Sequence, residues 1–266
     1  MTELKERVAI CWTCCGPTYR ETLLKKLQNY YTDDDNVFYF IITDDKYFFK
    51  DVNRKNLIIN ELRDFYDKYP LLQQYESYLE SDDSQDYAKK FTTQNYRFPF
   101  STNRFHLIQI EDFNITNVIM LCTDTDVFID RIKNYLTNKN YLYNAVSRWY
   151  QDTTEQNMTI ICDILYEDFG LQCDQNVQIF DGAAKFFIFD SKNTVKRFFS
   201  VWNHVIQKLY EENKMRFFWG SYAVNDEYIL GPIYNVFGIH QPNEKFSYAE
   251  LFEVNHDPAE RFWSYW

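Results

Sequence analysis

Three short apolar runs organise the first half of the chain. Val8 to Cys15 is closed by Gly16-Pro17, Val37 to Ile42 ends in Thr43-Asp44-Asp45, and Val118 to Leu121 leads into Cys122-Thr123-Asp124-Thr125-Asp126. Short continuous apolar runs bounded by turn residues read as strands buried on both faces. Between the first two, Thr18 or Tyr19 to about Tyr30 sets Leu23, Leu24 and Leu27 on one helical face. Strand, helix and strand with short links predict a βαβ unit, and hence an α/β fold. Its expected core is a Rossmann-type mixed, mostly parallel sheet flanked by helices.

Further along, the pattern is less regular. Residues 56–79 are helix-like but rich in charge and Tyr, and 81–95 form a polar connection. Phe98 to Ile110 reads as a helix beginning near Pro99, with Ser101 or Thr102 as its cap. Residues 132–149 read as helix plus loop, and Thr159 to Leu165 as a strand. Gln178 to Phe189 reads as two apolar runs around the small-residue hinge Asp181-Gly182-Ala183-Ala184. Thr194 to Tyr210 has the period of an amphipathic helix, Asn225-Asp226-Glu227 opens a segment running to Phe237, and the tail from His240 is aromatic and loop-like. With no repeat and no evident linker, one domain over 1–266 is expected.

The third apolar run carries the main chemical signal. Two carboxylates spaced i, i+2 follow it, at the sheet edge where open α/β folds bind ligands. Hard divalent cations take oxygen ligands and bridge to substrate phosphates. Asp124 and Asp126 therefore suggest a metal–diphosphate site, and an ordinary acidic turn after a strand is the other reading.

Charge and composition narrow the field. The net charge of −11 argues against non-specific binding to nucleic acid or to an anionic membrane. No segment approaches the roughly 20 apolar residues of a membrane span, so a soluble, cytoplasmic protein is expected, and a viral protein acting in a host cell fits the same picture. The 24 Phe, 22 Tyr and 6 Trp suit sugar or base stacking, but they also suit a core. Cys11 and Cys14 form a C-x-x-C inside the first strand with no second pair to complete a zinc site, so the cysteines read as small packing residues.

The order of segments resembles the nucleotide-sugar-dependent glycosyltransferases of GT-A fold, and most narrowly family 6, which holds the histo-blood-group transferases and their bacterial relatives. Thr102-Asn103-Arg104-Phe105-His106 is similar to that family's basic helix before the metal strand, and Val118 to Ile129 to its strand and D-x-D. Asp181 to Ala184 resembles its small-residue segment beside the sugar, and Asn225-Asp226-Glu227 its acidic helix start, with Asn225 in place of the family's His.

The resemblance implies a metal-dependent transferase moving a hexose-type sugar, with retention, from a nucleotide diphosphate sugar such as a UDP-sugar to a carbohydrate or other hydroxyl acceptor. Asp124 and Asp126 would hold Mn²⁺ or Mg²⁺, with His256 (His240 is the other candidate) as a third ligand. Arg104 would face the phosphates or donor sugar. Trp12, Thr13 and Asp44 would border the nucleoside, and Asp181, Gly182, Ala183 and Ala184 the sugar. Glu227, with Asp226, would lie beneath the anomeric carbon as a nucleophile or as a stabiliser of an oxocarbenium-like state; a helix cap explains the same acidic pair. Residues 1–126 would form the nucleotide-binding half and 127–266 the sugar and acceptor half.

Three other readings compete. Asp124-Thr125-Asp126-Val127 also fits the nucleophile motif of haloacid-dehalogenase-like phosphatases, although that motif normally follows the first strand. A non-catalytic carbohydrate-binding protein on a transferase fold would not need both carboxylates. A DNA-base glycosyltransferase would need a basic patch, for which Lys185, Lys192, Lys196 and Arg197 are available.

Overall fold

The protein is described from a computed structural model that covers residues 6–30, 34–70, 104–123, 125–136, 141–150, 156–174, 177–212, 214, 226–239 and 248–254. For 141–150, 178–184 and 226–228 the description is of the backbone.

Strand β1 (Val8–Cys14), helix α1 (Pro17–Tyr30) and strand β2 (Val37–Thr43) form the expected βαβ unit. Every residue of both strands is buried, which is why their sequence shows no polar alternation. Strand β3 (Leu57–Glu61) extends the parallel sheet beyond β2. The helical reading of 56–79 is thus corrected at its start. Asn56 has φ +60, a conformation that Asn tolerates and a helix interior does not, and its amide side chain donates to Val37 O at 3.1 Å. Residues 71–79 and the polar connection lie outside the described residues.

Helix α2 (Phe105–Glu111) precedes β4 (Asn117–Leu121), which lies parallel to β1 on the side away from β2. The expected start of this helix, with Ser101 and Thr102, lies outside the described residues. A turn then leads to β5 (Thr125–Val127) and the single helical turn α3 (Ile129–Ile132).

The second half corrects three expectations. Tyr141–Tyr150 is a strand, β6, not helix plus loop. Gln156–Phe169 is a helix, α4, not a strand: Met158, Ile161, Ile164 and Leu165 are buried and Thr159, Asp163 and Tyr166 are exposed, which is a helical stripe. Val177–Ile188 is one continuous strand, β7, across the anticipated hinge.

Helix α5 (Lys192–Glu211) matches its expected amphipathic span, and helix α6 (Asp226–Val236) occupies the segment after Asn225. In the tail, helical turn α7 (Tyr248–Leu251) leads into β8 (Phe252–Val254).

The main sheet has the order β3-β2-β1-β4-β7-β6, with β4–β7 and β7–β6 antiparallel and the other pairings parallel. It is a mixed α/β sheet, as expected. Alternate residues feed two cores. Ala9, Cys11, Met120 and Phe187 face α2, α4, α5 and α6, while Ile10, Trp12, Leu121 and Phe186 face α1, α3, α7 and the β5–β8 pair. No described helix is long and apolar enough to cross a membrane.

Candidate functional site

The chain leaves β1 on one side toward β2 and returns on the other as β4. This reversal is a topological switch point, and in open α/β sheets ligands bind outside the carboxyl ends of the strands there. The sequence places Asp124 and Asp126 just past the carboxyl end of β4. Thr125 N–H donates to Cys122 O at 3.1 Å, so residues 122–125 close a turn that redirects the chain into β5.

Asp126 follows that turn. Its Oδ1 lies 2.9 Å from Nζ of Lys26 on α1, in an ion pair whose side chains are 24% and 11% exposed. Lys26 shares the buried face of α1 with Leu23 and Leu27. A lysine at an apolar-stripe position is the signal in the sequence, and the motif reading missed it. Asp124 lies outside the described residues.

At the end of β1, Thr13 is buried and its Oγ1 lies 3.2 Å from Nε2 of His106 on α2. His106 has no exposed surface, and desolvation pushes its imidazole down to about 3, against a smaller upward effect of the Trp12 backbone. It is therefore neutral at physiological pH. Trp12 lies at this edge, but its side chain points into the core and stacks on Tyr39 at 6.2 Å. The Trp12 ring therefore fills the core.

Asp44, past the end of β2, accepts from the Gly16 amide at 2.9 Å and pairs with Arg20. It fastens the end of β2 to the start of α1, where Gly16 has φ +93. Arg20, whose guanidinium lies 5.5 Å from the Phe48 ring centroid, is a cation at this edge that the motif reading also missed.

Arg104 is the residue just before α2, a helix that runs back down the sheet toward the start of β4, and so it too lies at the carboxyl edge. It is buried, donates from Nε to Asn203 Oδ1 at 2.9 Å, and lies 4.4 Å from the Phe105 ring centroid.

Strand β7 brings the small-residue segment to the same edge. Ala184 is opposite Leu121, the last residue of β4, and Gly182 and Ala183 precede it on β7. Lys185, one residue further in, is buried opposite Met120. The basic patch weighed above does not form: Lys185 is inside, whereas Lys192, Lys196 and Arg197 are exposed on α5.

Ring contacts seat α6 against β7. Phe187 meets Tyr234 at 5.9 Å, and Phe198 meets both Phe189 at 5.5 Å and Phe237 at 5.2 Å. Asp226 and Glu227 open this helix.

Among the described residues, no group of three His, Cys, Asp or Glu side chains is placed to hold a metal ion. Asp124, His240 and His256 lie outside them. Of the expected ligands only Asp126 is described, and its carboxylate, a hard oxygen donor, pairs with Lys26. Strand β8 runs antiparallel to β5 with Val254 opposite Thr125.

No protein-family model matches the chain, and no curated protein does. Among solved structures the chain is similar to a galactosyltransferase, LgtC, crystallised with donor and acceptor sugar analogues. That match has a TM-score of 0.45 and 11% identity, covering 88% of this chain and 72% of the other. It is similar to the bifunctional glycosyltransferase WbbM at a TM-score of 0.41 and 10% identity, covering 90% and 39%. It is also similar to mouse xyloside xylosyltransferase 1 at 0.40 and 8% identity, covering 85% and 81%. At these identities no residue carries across, so the likeness to family 6 stands on the short motifs alone.

Proposed function

We propose that the chain is a metal-dependent glycosyltransferase that moves a hexose-type sugar from a nucleotide diphosphate sugar, of UDP type, to a hydroxyl acceptor with retention. One observation supports the reading: the Asp-x-Asp motif follows β4 at the β1/β4 switch point, the edge at which β1 ends just past Thr13 and β7 brings Ala184 opposite Leu121. The phosphatase reading expects its aspartate after the first strand of the fold, and here that position is held by Cys15-Gly16.

In this reading Asp124, Asp126 and His256 hold Mn²⁺ or Mg²⁺. The ion would offset diphosphate charge and so favour departure of the nucleotide. Arg104 and Arg20 add positive charge to the same edge, which draws an anionic donor. Thr13, oriented by the neutral His106, offers a fixed hydroxyl to the nucleoside, and Asp44 lies beside it. Gly182 and the alanines let a sugar approach the backbone closely, with Asp181 alongside. Glu227, with Asp226, supplies the carboxylate that stabilises the oxocarbenium-like state.

Nucleotide-sugar hydrolysis with and without Mn²⁺ tests the proposal. Wild type is expected to hydrolyse the donor only with metal, and Asp124→Ala/Asp126→Ala to lose that activity. Glu227→Gln is expected to slow transfer by roughly 10²-fold or more. Release of phosphate from simple phosphomonoesters instead would sink the transferase reading. Sugar binding without turnover would favour the binding protein.

A further inference from the structure

A lysine kept from water is almost always paired. On α1 the buried residues Leu23, Lys26 and Leu27 face inward, whereas the neighbouring Lys25 is exposed. Leu23 and Leu27 share one core with Val127 of β5 and with Leu251 and Phe252. That packing lays α1 against the β5–β8 pair and delivers the Lys26 ammonium to Asp126, with Nζ 2.9 Å from Oδ1. The carboxylate keeps more exposure than the lysine. The cation is thus the shielded partner, and the anion is the one that a dissolved ion can reach.

The strand register adds a second negative charge. Asp126 is directly opposite Glu253 across the β5–β8 pair, so the two carboxylates stand on the same face of the ribbon. Glu253 is exposed. Like charges placed this way repel, and the Lys26 ammonium offsets the repulsion. One ammonium against two carboxylates leaves the face net negative, so it still attracts a cation of higher charge.

Resting on the metal-dependent reading, in which Asp126 is a ligand, we infer that Lys26 is a competing counter-ion that sets how tightly the Asp-x-Asp turn holds its metal. An ammonium and a divalent ion on one carboxylate stand close enough to repel strongly. Metal entry therefore opens the Lys26–Asp126 pair. Pair and metal are linked, and what strengthens one weakens the other. A carboxylate closed in its pair about nine times in ten takes up an ion roughly tenfold more weakly than a free one. Lys26 acts through Asp126, as a positioning residue.

Calorimetric Mn²⁺ titration of the full, folded chain tests this, with urea midpoints taken without and with saturating Mn²⁺. Lys26→Met is expected to bind Mn²⁺ roughly tenfold more tightly than wild type. Lys25→Met removes the same formal charge from the exposed neighbour and is expected to stay within about twofold of wild type. Saturating Mn²⁺ should raise the urea midpoint of Lys26→Met more than that of wild type. Equal Mn²⁺ affinity for wild type and Lys26→Met, or equal gains for Lys25→Met and Lys26→Met, would overturn the proposal and leave the metal reading standing. Failure of wild type and Lys26→Met alike to bind Mn²⁺ would remove the metal reading and this proposal with it. If Lys26→Met fails to fold, Lys26→Gln, which keeps a hydrogen-bond donor without the charge, decides by the same titration.

Discussion

At the scale of single residues, the site edge is held by charges and polar groups taken out of water. His106 is the clearest case. Below about pH 6.5 the unfolded chain accepts a proton at this residue, while the folded chain resists until about pH 3. The unfolded state therefore binds more protons in that window. The stability contributed by this residue is complete above about pH 6.5 and falls as pH drops, by up to about 1.4 kcal/mol per unit. His106→Gln should remove the slope, so its Tm deficit relative to wild type should shrink from pH 7.5 toward pH 5. A deficit independent of pH would mean that the folded imidazole is not held neutral. The Lys26–Asp126 pair gives a second prediction. Loss of either partner leaves the other charge poorly solvated, at about 2 kcal/mol for a pair this buried. Lys26→Met and Asp126→Asn should each lower stability by that order in urea. The double variant should recover about 1 kcal/mol of the sum, and strict additivity would show the contact to be incidental. The sequence displayed Asp126 directly, whereas its counter-ion shows only as a lysine inside an apolar stripe, whose partner is defined once α1 meets Asp126.

At the scale of elements, the parallel half of the sheet was legible and the antiparallel half was not. Strands β1, β2 and β4 are buried on both faces, so each appears as a bare apolar run between turns. Tyr141–Tyr150 mixes Tyr, Asn, Ser and Arg with apolar residues, and its partner β7 lies 27 residues further on (177 − 150), so no local signal marks the pairing. In α4, the segment Thr159 to Leu165 is apolar enough to imitate a strand, and only its burial at i, i+3 and i+6 from Met158 distinguishes it. Helix α5 was read correctly because its stripe is long and its start is capped. Ser191 Oγ accepts from Thr194 N–H at 3.2 Å. Ser191→Ala should destabilise the protein by about 1 kcal/mol, and Ser191→Asp should retain most of the cap. Equal losses for the two substitutions, measured by denaturant midpoint, would assign the effect to packing around Thr194 instead.

At the scale of the whole molecule, the site edge is assembled from both ends of the chain. Strand β8 arrives about 125 residues after β5 (252 − 127) and is its partner in the two-stranded sheet. Phe128 N–H donates to Leu251 O at 2.8 Å, and Leu251 and Phe252 fill the core that Val127, Ile132 and Leu136 share with β1. Residues up to Val254 close the core beneath the Asp-x-Asp turn, whereas His256, beyond it, belongs to the proposed metal set. Two truncations separate these roles. A chain ending at Val254 keeps Leu251 and Phe252 in the core and should bind Mn²⁺ at least tenfold more weakly. A chain ending at Ser247 loses two buried side chains worth about 2 kcal/mol each and uncovers the core behind β5. It should unfold at a clearly lower denaturant concentration. Calorimetric Mn²⁺ titration and urea midpoints on the same samples check both statements. If the chain ending at Val254 keeps full Mn²⁺ affinity, His256 is not a ligand and the carboxylates past β4 hold the ion without it.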